Sequence, residues 1–298
     1  MKRIFYFNII YSCNSRCVYC YSHNTWRNTF PKSEISVDEF FSYLEEYRLC
    51  ENDRVILNGG EPLLHGKFDE ILNRLNAYRC EVLVYTNGRL LNKLNPELLN
   101  ENDRFVIPFH GDEEIHDRIT GVAGSYRETC HGLSRLKGAR CRTDIKLIVN
   151  NEILASDSAG KKTIEMMEND ICFNNALHIT KMAYTPIAKQ NGCSPVSNEH
   201  AADYMRILFE HFRQKGYVIK FFDTCIKKLF HPELIQPEKY TEEIAVYFKD
   251  MGHFRELALG KTFTEECSKC GHRDFCKSAV DEYLALEYFN HRFYENLE

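Results

Sequence analysis

Ile4-Phe5-Tyr6-Phe7-Asn8-Ile9-Ile10-Tyr11-Ser12-Cys13-Asn14-Ser15-Arg16-Cys17-Val18-Tyr19-Cys20 sets the reading of this chain. An apolar, strand-like run from Ile4 to Ile10 delivers three cysteines, separated by three and then two residues. Four thiolates close a structural metal site, whereas three leave one coordination position open. A cluster held by three cysteines keeps one iron able to take a ligand from solution, so chemistry is expected there as well as electron storage. Loop spacing alone leaves three alternatives open: a zinc site, a redox pair with a spare thiol, and an iron–sulfur site.

The same strand-then-loop unit recurs downstream. Strand patterns cover Arg3–Ile10, Arg54–Asn58, Glu81–Thr86, Arg104–Phe109, Asp144–Asn150 and His178–Ala183. Helical patterns lie near Ser36–Arg48, Lys67–Tyr78, Ser125–Lys137 and Lys161–Asn169, and Ser36 with Glu39 and Ser125 with Glu128 read as capping boxes. Strand–helix periods of roughly thirty residues favour parallel βαβ units. Six of them predict an α/β fold, a partial (β/α)6 barrel whose loops at the carboxyl edge carry the site. The three-cysteine loop, Gly59-Gly60-Glu61 and His110-Gly111 all fall at that edge. After Ser197 the rhythm changes to a helix ending near Lys215, a short strand Tyr217–Phe222, and a polar, irregular stretch. The expected division is therefore 1–196 for the barrel and 197–298 for a small C-terminal domain.

Asn58-Gly59-Gly60-Glu61-Pro62 follows the second strand. Paired glycines let a backbone approach a ligand closely, and Glu61 offers an acceptor for an ammonium group. Taken alone, such glycines also suit an ordinary tight turn.

Together the two motifs resemble the radical S-adenosylmethionine superfamily. The likeness includes Tyr19 just before Cys20 and extends through Thr86-Asn87-Gly88, His110-Gly111, His116-Asp117, Ile119-Thr120-Gly121 and Gly124-Ser125. Thr185-Pro186-Ile187-Ala188 resembles the turn after the sixth strand, with Ile187 where a glycine is frequent; Pro108 stands where many relatives place a serine. The resemblance implies that Cys13, Cys17 and Cys20 bind a 4Fe–4S cluster whose open iron is chelated by S-adenosylmethionine. It implies that Gly59, Gly60 and Glu61 hold the methionine amine, and that Tyr19 lies against the adenine. Cleavage of the sulfonium by one electron would give a 5′-deoxyadenosyl radical, with the protein supplying position and water exclusion.

A second set, Cys267, Cys270 and Cys276, is spaced by two and five residues. A zinc knuckle is one account of it. It also resembles the auxiliary-cluster extension called SPASM, or its shorter twitch form, with Val280 where a further cysteine is usual. Cys225 would then complete the set for a second, auxiliary 4Fe–4S cluster. Cys50, Cys80, Cys130, Cys141, Cys172 and Cys193 read as structural thiols. His110 and His116 read as solvated loop histidines near the rim, with substrate contact as the alternative. The aromatic tail (Tyr283, Tyr288, Phe289, Phe293) reads as core packing.

Many relatives with such extensions mature ribosomally made peptides through cross-links, thioethers or epimers, and others oxidise sulfatases or act on small molecules; peptide maturation is the leading expectation. A small-molecule dehydrogenase, acting for instance on an amino sugar, is the second, and a zinc-stabilised binding module the third. A peptide-maturing enzyme would need a reducing partner such as flavodoxin or ferredoxin. Because the chain opens on the first barrel strand, either a separate leader-peptide recognition protein or direct binding by the barrel rim is also expected. A net charge of −5 gives no support to a nucleic-acid or anionic-membrane partner. No run is apolar enough for a membrane span or signal core, so a cytoplasmic address and reduced cysteines are expected.

Overall fold

The computed structural model describes residues 3–20, 34–182 and 186–221 and the strand 242–246. Its elements are β1 (Arg3–Ile10), α1 (Val37–Glu46), β2 (Arg54–Gly59), α2 (Phe68–Ala77), β3 (Glu81–Tyr85), β4 (Asp103–Phe109), α3 (Glu113–Thr120) and α4 (Ser125–Arg135). They continue with β5 (Arg142–Val149), α5 (Asp157–Asn169), β6 (Ala176–Lys181), α6 (Pro186–Gln190), α7 (Asn198–Gln214), β7 (Val218–Phe221) and β8 (Glu242–Val246). All strands pair in parallel, in the order β7-β6-β5-β4-β3-β2-β1-β8. β7 and β8 stand at the two edges, so the sheet is open, an α/β partial barrel. The six expected strands form its centre. β8 lies in the stretch read from sequence as irregular, so that reading is corrected: Glu242–Val246 pairs along β1 from Arg3↔Glu242 to Phe7↔Val246.

Alternation along each strand separates two cores. Phe5, Phe7 and Ile9, then Val55 and Leu57, Val82 and Val84, Phe105 and Ile107, Ile145 and Leu147, and Leu177 and Ile179 join the large core that includes the helices. Ile4, Ile56, Leu83 and Val106 form a separate cluster on the other face, inside the barrel, with Tyr85 packed on it. Strands apolar on both faces are what a parallel sheet covered by helices requires. α7 and β7 belong to the same body: Ala201, Met205, Leu208 and Phe212 share the large core, and the Tyr204 hydroxyl donates to Gly160 O at 2.9 Å.

Helix starts follow local chemistry, with one exception to expectation. Ser36 Oγ accepts from Glu39 N at 3.2 Å, as a cap should. Ser125 is no cap. Gly124, left-handed at φ +80°, takes that position, and Ser125 Oγ donates instead to Asp117 Oδ1 at 2.9 Å. α3 escaped the sequence reading because only Ile115 and Ile119 mark an apolar face across Glu113–Thr120. A polar cleft of about 680 Å³ opens at the amino edge of the sheet, away from the cysteine loop. Its floor is committed to internal pairing, with Arg54 and Arg104 each 2.8 Å from Glu81.

Candidate active site

The three cysteines occupy the loop leaving β1 at the carboxyl edge, and all three are half-buried. Neighbouring elements hold that loop from four directions. From β2, Gly60 N donates to Ile10 O at 2.7 Å and Glu61 N to Ser12 O at 2.8 Å. From the end of α3, Thr120 O accepts from Arg16 N at 2.8 Å and Ile119 O from Val18 N at 2.9 Å. These carbonyls are among the four that a helix end leaves unsatisfied. From the loop after β3, Asn87 Nδ2 donates to Asn14 Oδ1 at 2.6 Å, and Arg89 Nη1 reaches Asn14 O and Ser15 Oγ. From the loop after α6, Asn191 Nδ2 donates to Val18 O at 2.9 Å.

This geometry gives the two glycines a structural role beside the ligand-holding one expected of them. A Cβ on Gly60 would stand 2.2 Å from Ser12 O and 2.5 Å from Tyr11 O. Gly59 adopts φ +128°, and a Cβ there would stand 2.2 Å from Ile10 O. The close approach that demands glycine is therefore to the root of the cysteine loop, where the sequence suggested approach to a ligand. Gly121 repeats the device at φ +67°, with its missing Cβ 2.9 Å from Arg16 O.

Glu61 is wholly buried, and its carboxylate is already engaged. It accepts from Thr86 Oγ1 at 2.6 Å, Asn87 N at 2.8 Å and Leu63 N at 3.1 Å. An ionised carboxylate has about four acceptor positions, so one remains for an incoming ammonium group. Burial raises its pKa against those three donors. Glu61 thus ties the loops after β2 and β3 together, and Asn87 passes that restraint on to the cysteine loop.

The donor set suits an iron–sulfur cluster. Ser15 N lies 3.4 Å and Asn87 Nδ2 3.9 Å from Cys13 Sγ, both able to donate to a thiolate sulfur. Burial, then the nearby Cys20 and Cys13, push the Cys17 thiol well up. Three anionic sulfurs on one short loop need a cationic centre to coexist. Among the described residues no three His, Cys, Asp or Glu side chains converge on a point where a single ion would sit. A cluster needs no such point, because each thiolate binds its own iron. Cys225, Cys267, Cys270 and Cys276 lie outside the described residues.

Tyr19 packs at this rim with its hydroxyl 3.5 Å from His110 Nε2 and the two rings edge-on at 5.5 Å. His110 and His116 are not solvated, which corrects the sequence reading: they are 1% and 2% exposed, with ring centroids 5.2 Å apart. Phe109 and Tyr126 close the cluster against His116. His116 lies on α3, the helix missed in the sequence, so its burial had no visible cue.

Burial holds both imidazoles neutral, His110 well below the ordinary value and His116 down to about 4. An unfolded histidine titrates near 6.5, so on acidification the unfolded chain takes up protons that the folded one refuses. Stability is full above about pH 6.5 and falls towards pH 4, by on the order of 3 kcal/mol from His116 alone. Urea denaturation of the wild type and of His116→Gln at pH 7.0 and 4.5 checks this. The variant should show a distinctly smaller loss, and equal losses would contradict the assignment.

Comparison with known proteins bears on this loop directly. The family described as the Radical SAM superfamily matches residues 7–154, which contain the cysteine loop, the Gly59-Gly60-Glu61 turn and the histidine cluster. Residues 7–154 are a radical SAM domain. An AdoMet-dependent heme synthase of Methanosarcina barkeri is 27% identical over 256 residues, 82% of this chain and 68% of that protein. Across three curated relatives the chain spans 56–68% of their length. Among solved structures, Streptococcus suis SuiB bound to its precursor peptide SuiA superposes with a TM-score of 0.68 at 13% identity, covering 92% of this chain and 70% of SuiB. The anSMEcpe protein with bound AdoMet gives a TM-score of 0.65 at 16% identity, over 99% of this chain and 94% of the other. These likenesses establish a shared fold. A radical SAM domain implies a 4Fe–4S cluster and S-adenosylmethionine as cofactors. No helix among the described residues is long and apolar enough to cross a membrane.

Proposed function

We propose that this protein is a radical SAM enzyme that modifies a ribosomally made peptide, with Cys13, Cys17 and Cys20 as the cluster ligands. The observation that carries the reading is the cysteine loop, gripped by the ends of β2, β3, α3 and α6 at the carboxyl edge of an open barrel. Cys13, Cys17 and Cys20 would hold the cluster, which would supply the electron for reductive cleavage of S-adenosylmethionine and so for hydrogen abstraction from the substrate. The chain's own residues do the positioning. The fourth acceptor position of Glu61, with the backbone of Gly59 and Gly60, receives the methionine amine. Tyr19, braced edge-on by His110, presents its ring to the adenine. The neutral histidine cluster keeps water and protons out of the wall behind it.

Residues 197–298 complete the proposal as an auxiliary-cluster region with Cys225, Cys267, Cys270 and Cys276 as ligands, joined to the barrel by α7 in its core and by β7 and β8 in its sheet. SuiB, solved with its precursor peptide, supports the peptide reading at the level of fold. A reducing partner of the flavodoxin or ferredoxin kind and a separate leader-binding protein belong to the same proposal, as does a cytoplasmic address. A small-molecule substrate is the second reading, favoured by the similarity to a heme synthase. Anaerobic reconstitution should give about eight irons per chain with matching sulfide if both clusters assemble. Mass spectrometry of candidate precursor peptides after reaction tests the substrate. A mass change that needs both S-adenosylmethionine and reductant supports the peptide reading, and turnover of small acids or sugars with inert peptides overturns it.

A further inference from the structure

The turn after β3, Thr86-Asn87-Gly88-Arg89, ends on a charged residue, and its backbone is clamped where that residue leaves it. Gly88 adopts φ +82°, and a Cβ there would stand 2.9 Å from both Ile107 Cγ2 and Thr129 Cγ2. Thr129 Oγ1 donates to Asn87 O at 3.0 Å. Gly132 lets the helix come closer still, since a Cβ on it would stand 2.3 Å from Gly88 O. α4 therefore packs directly on the turn, and Arg89 N closes it by donating to Asn87 Oδ1 at 3.1 Å.

From that fixed root the Arg89 side chain, 12% exposed, spans two elements. Its Nε meets Glu128 Oε2 on α4 at 2.5 Å, and its Nη1 reaches Asn14 O and, at 3.3 Å, Ser15 Oγ. Asn14 and Ser15 lie between Cys13 and Cys17, and Ser15 N points at Cys13 Sγ from 3.4 Å. Arg16, the cation of the loop itself, is exposed. Glu128 is 51% exposed, so water screens its carboxylate more than the guanidinium it faces. The charge of Arg89 is accordingly felt at Glu61 and His116 as well as at Cys17. An electron added beside three thiolates makes that site one unit more negative, which a nearby cation favours. At an effective dielectric constant of about 20, a unit charge about 10 Å away shifts such an equilibrium on the order of tenfold.

We propose that Arg89 is a positioning residue: it fixes the segment between Cys13 and Cys17 and, through its charge, raises the reduction potential of the cluster held there, with Glu128 opposing it. The inference rests on the radical SAM reading and adds to it the residues that tune electron entry. In that step one electron leaves a one-electron donor of the flavodoxin or ferredoxin kind and reduces the cluster. No bond forms or breaks, and no proton moves. Net charge, hydrogen bonds and solvent exposure are the means by which a protein sets such a potential. Arg89 acts through the first two, and Glu128 restrains the first.

Redox titration of the reconstituted protein, followed by electron paramagnetic resonance, tests this. The signal to follow is the one missing from protein with Cys13, Cys17 and Cys20 replaced by alanine, which separates it from any auxiliary cluster. Arg89→Gln should lower the ratio of reduced to oxidised cluster about tenfold at a fixed potential, a shift of about 59 mV for one electron. Glu128→Gln should raise the potential, by less, because that carboxylate is half exposed. Arg89→Lys, which keeps the charge, should stay close to the wild type. A brace that acts only mechanically gives no reason for Arg89→Gln and Glu128→Gln to shift in opposite directions. Shifts of one sign in those two variants, or an unmoved potential in either, overturn the proposal. Iron per chain shows that each variant is loaded. If Arg89→Gln fails to load, Arg89→Lys and Glu128→Gln carry the test, and a raised potential in Glu128→Gln alone is still required. A wild type without the cysteine-dependent signal would overturn the radical SAM reading of the site, and the proposal with it.

Discussion

Gly60→Ala is expected to destabilise the apoprotein by about 1–3 kcal/mol, the usual cost of overpacking a close-packed site, and to lose most of its N-terminal cluster iron. The added Cβ would lie 2.2 Å from Ser12 O and 2.5 Å from Tyr11 O. Both are backbone atoms, so no side-chain rotation relieves the contact. Either β2 withdraws, breaking the bonds from Gly60 N to Ile10 O and from Glu61 N to Ser12 O, or the root of the cysteine loop is displaced. Displacement carries Cys13 with it, because only Ser12 intervenes. Thermal unfolding of the apoprotein reads the first effect, and iron per chain after reconstitution reads the second. A variant with wild-type melting and full iron would show that the close approach is not what fixes the loop.

Replacing Cys13, Cys17 and Cys20 with alanine should bring 5′-deoxyadenosine formation to background and lower iron by about four atoms per chain. The fold should survive. The loop is anchored by backbone donors at Arg16, Val18 and Cys20 and by Asn14 and Ser15, none of which needs a thiol. Iron that remains would belong to the proposed auxiliary set, so the triple variant also reports on Cys225, Cys267, Cys270 and Cys276. Cleavage of S-adenosylmethionine by the triple variant would contradict the assignment of the site.

Much of the architecture was legible because a parallel barrel writes itself as repeated apolar runs. The six central strands were readable from their composition, and the site from its place after the first of them. The helix Glu113–Thr120 was not, since two isoleucines among charged residues give little period to read. Its absence hid the burial of His116 and the carbonyls of Ile119 and Thr120 that grip the cysteine loop. Ser125 misled in a different way: a serine three residues before a glutamate matches a cap, yet Asp117 claimed its hydroxyl. β8 lacked a cue of its own because Glu242–Val246 is a strand only by virtue of the edge of β1.

The amino-acid sequence by itself determined which atoms are available for chemistry: three thiols at fixed spacing, a paired-glycine turn one unit later, and the strands that bring both to one edge. Spacing of this kind is local, and local covalent geometry carries it. Only the tertiary structure decided what the glycines approach, how Glu61 spends its carboxylate, which histidines are dry, and that Arg89 spans from Glu128 to the cysteine loop. Each depends on a neighbour distant in the chain, and register between strands is settled by packing on two faces at once, which no single segment encodes.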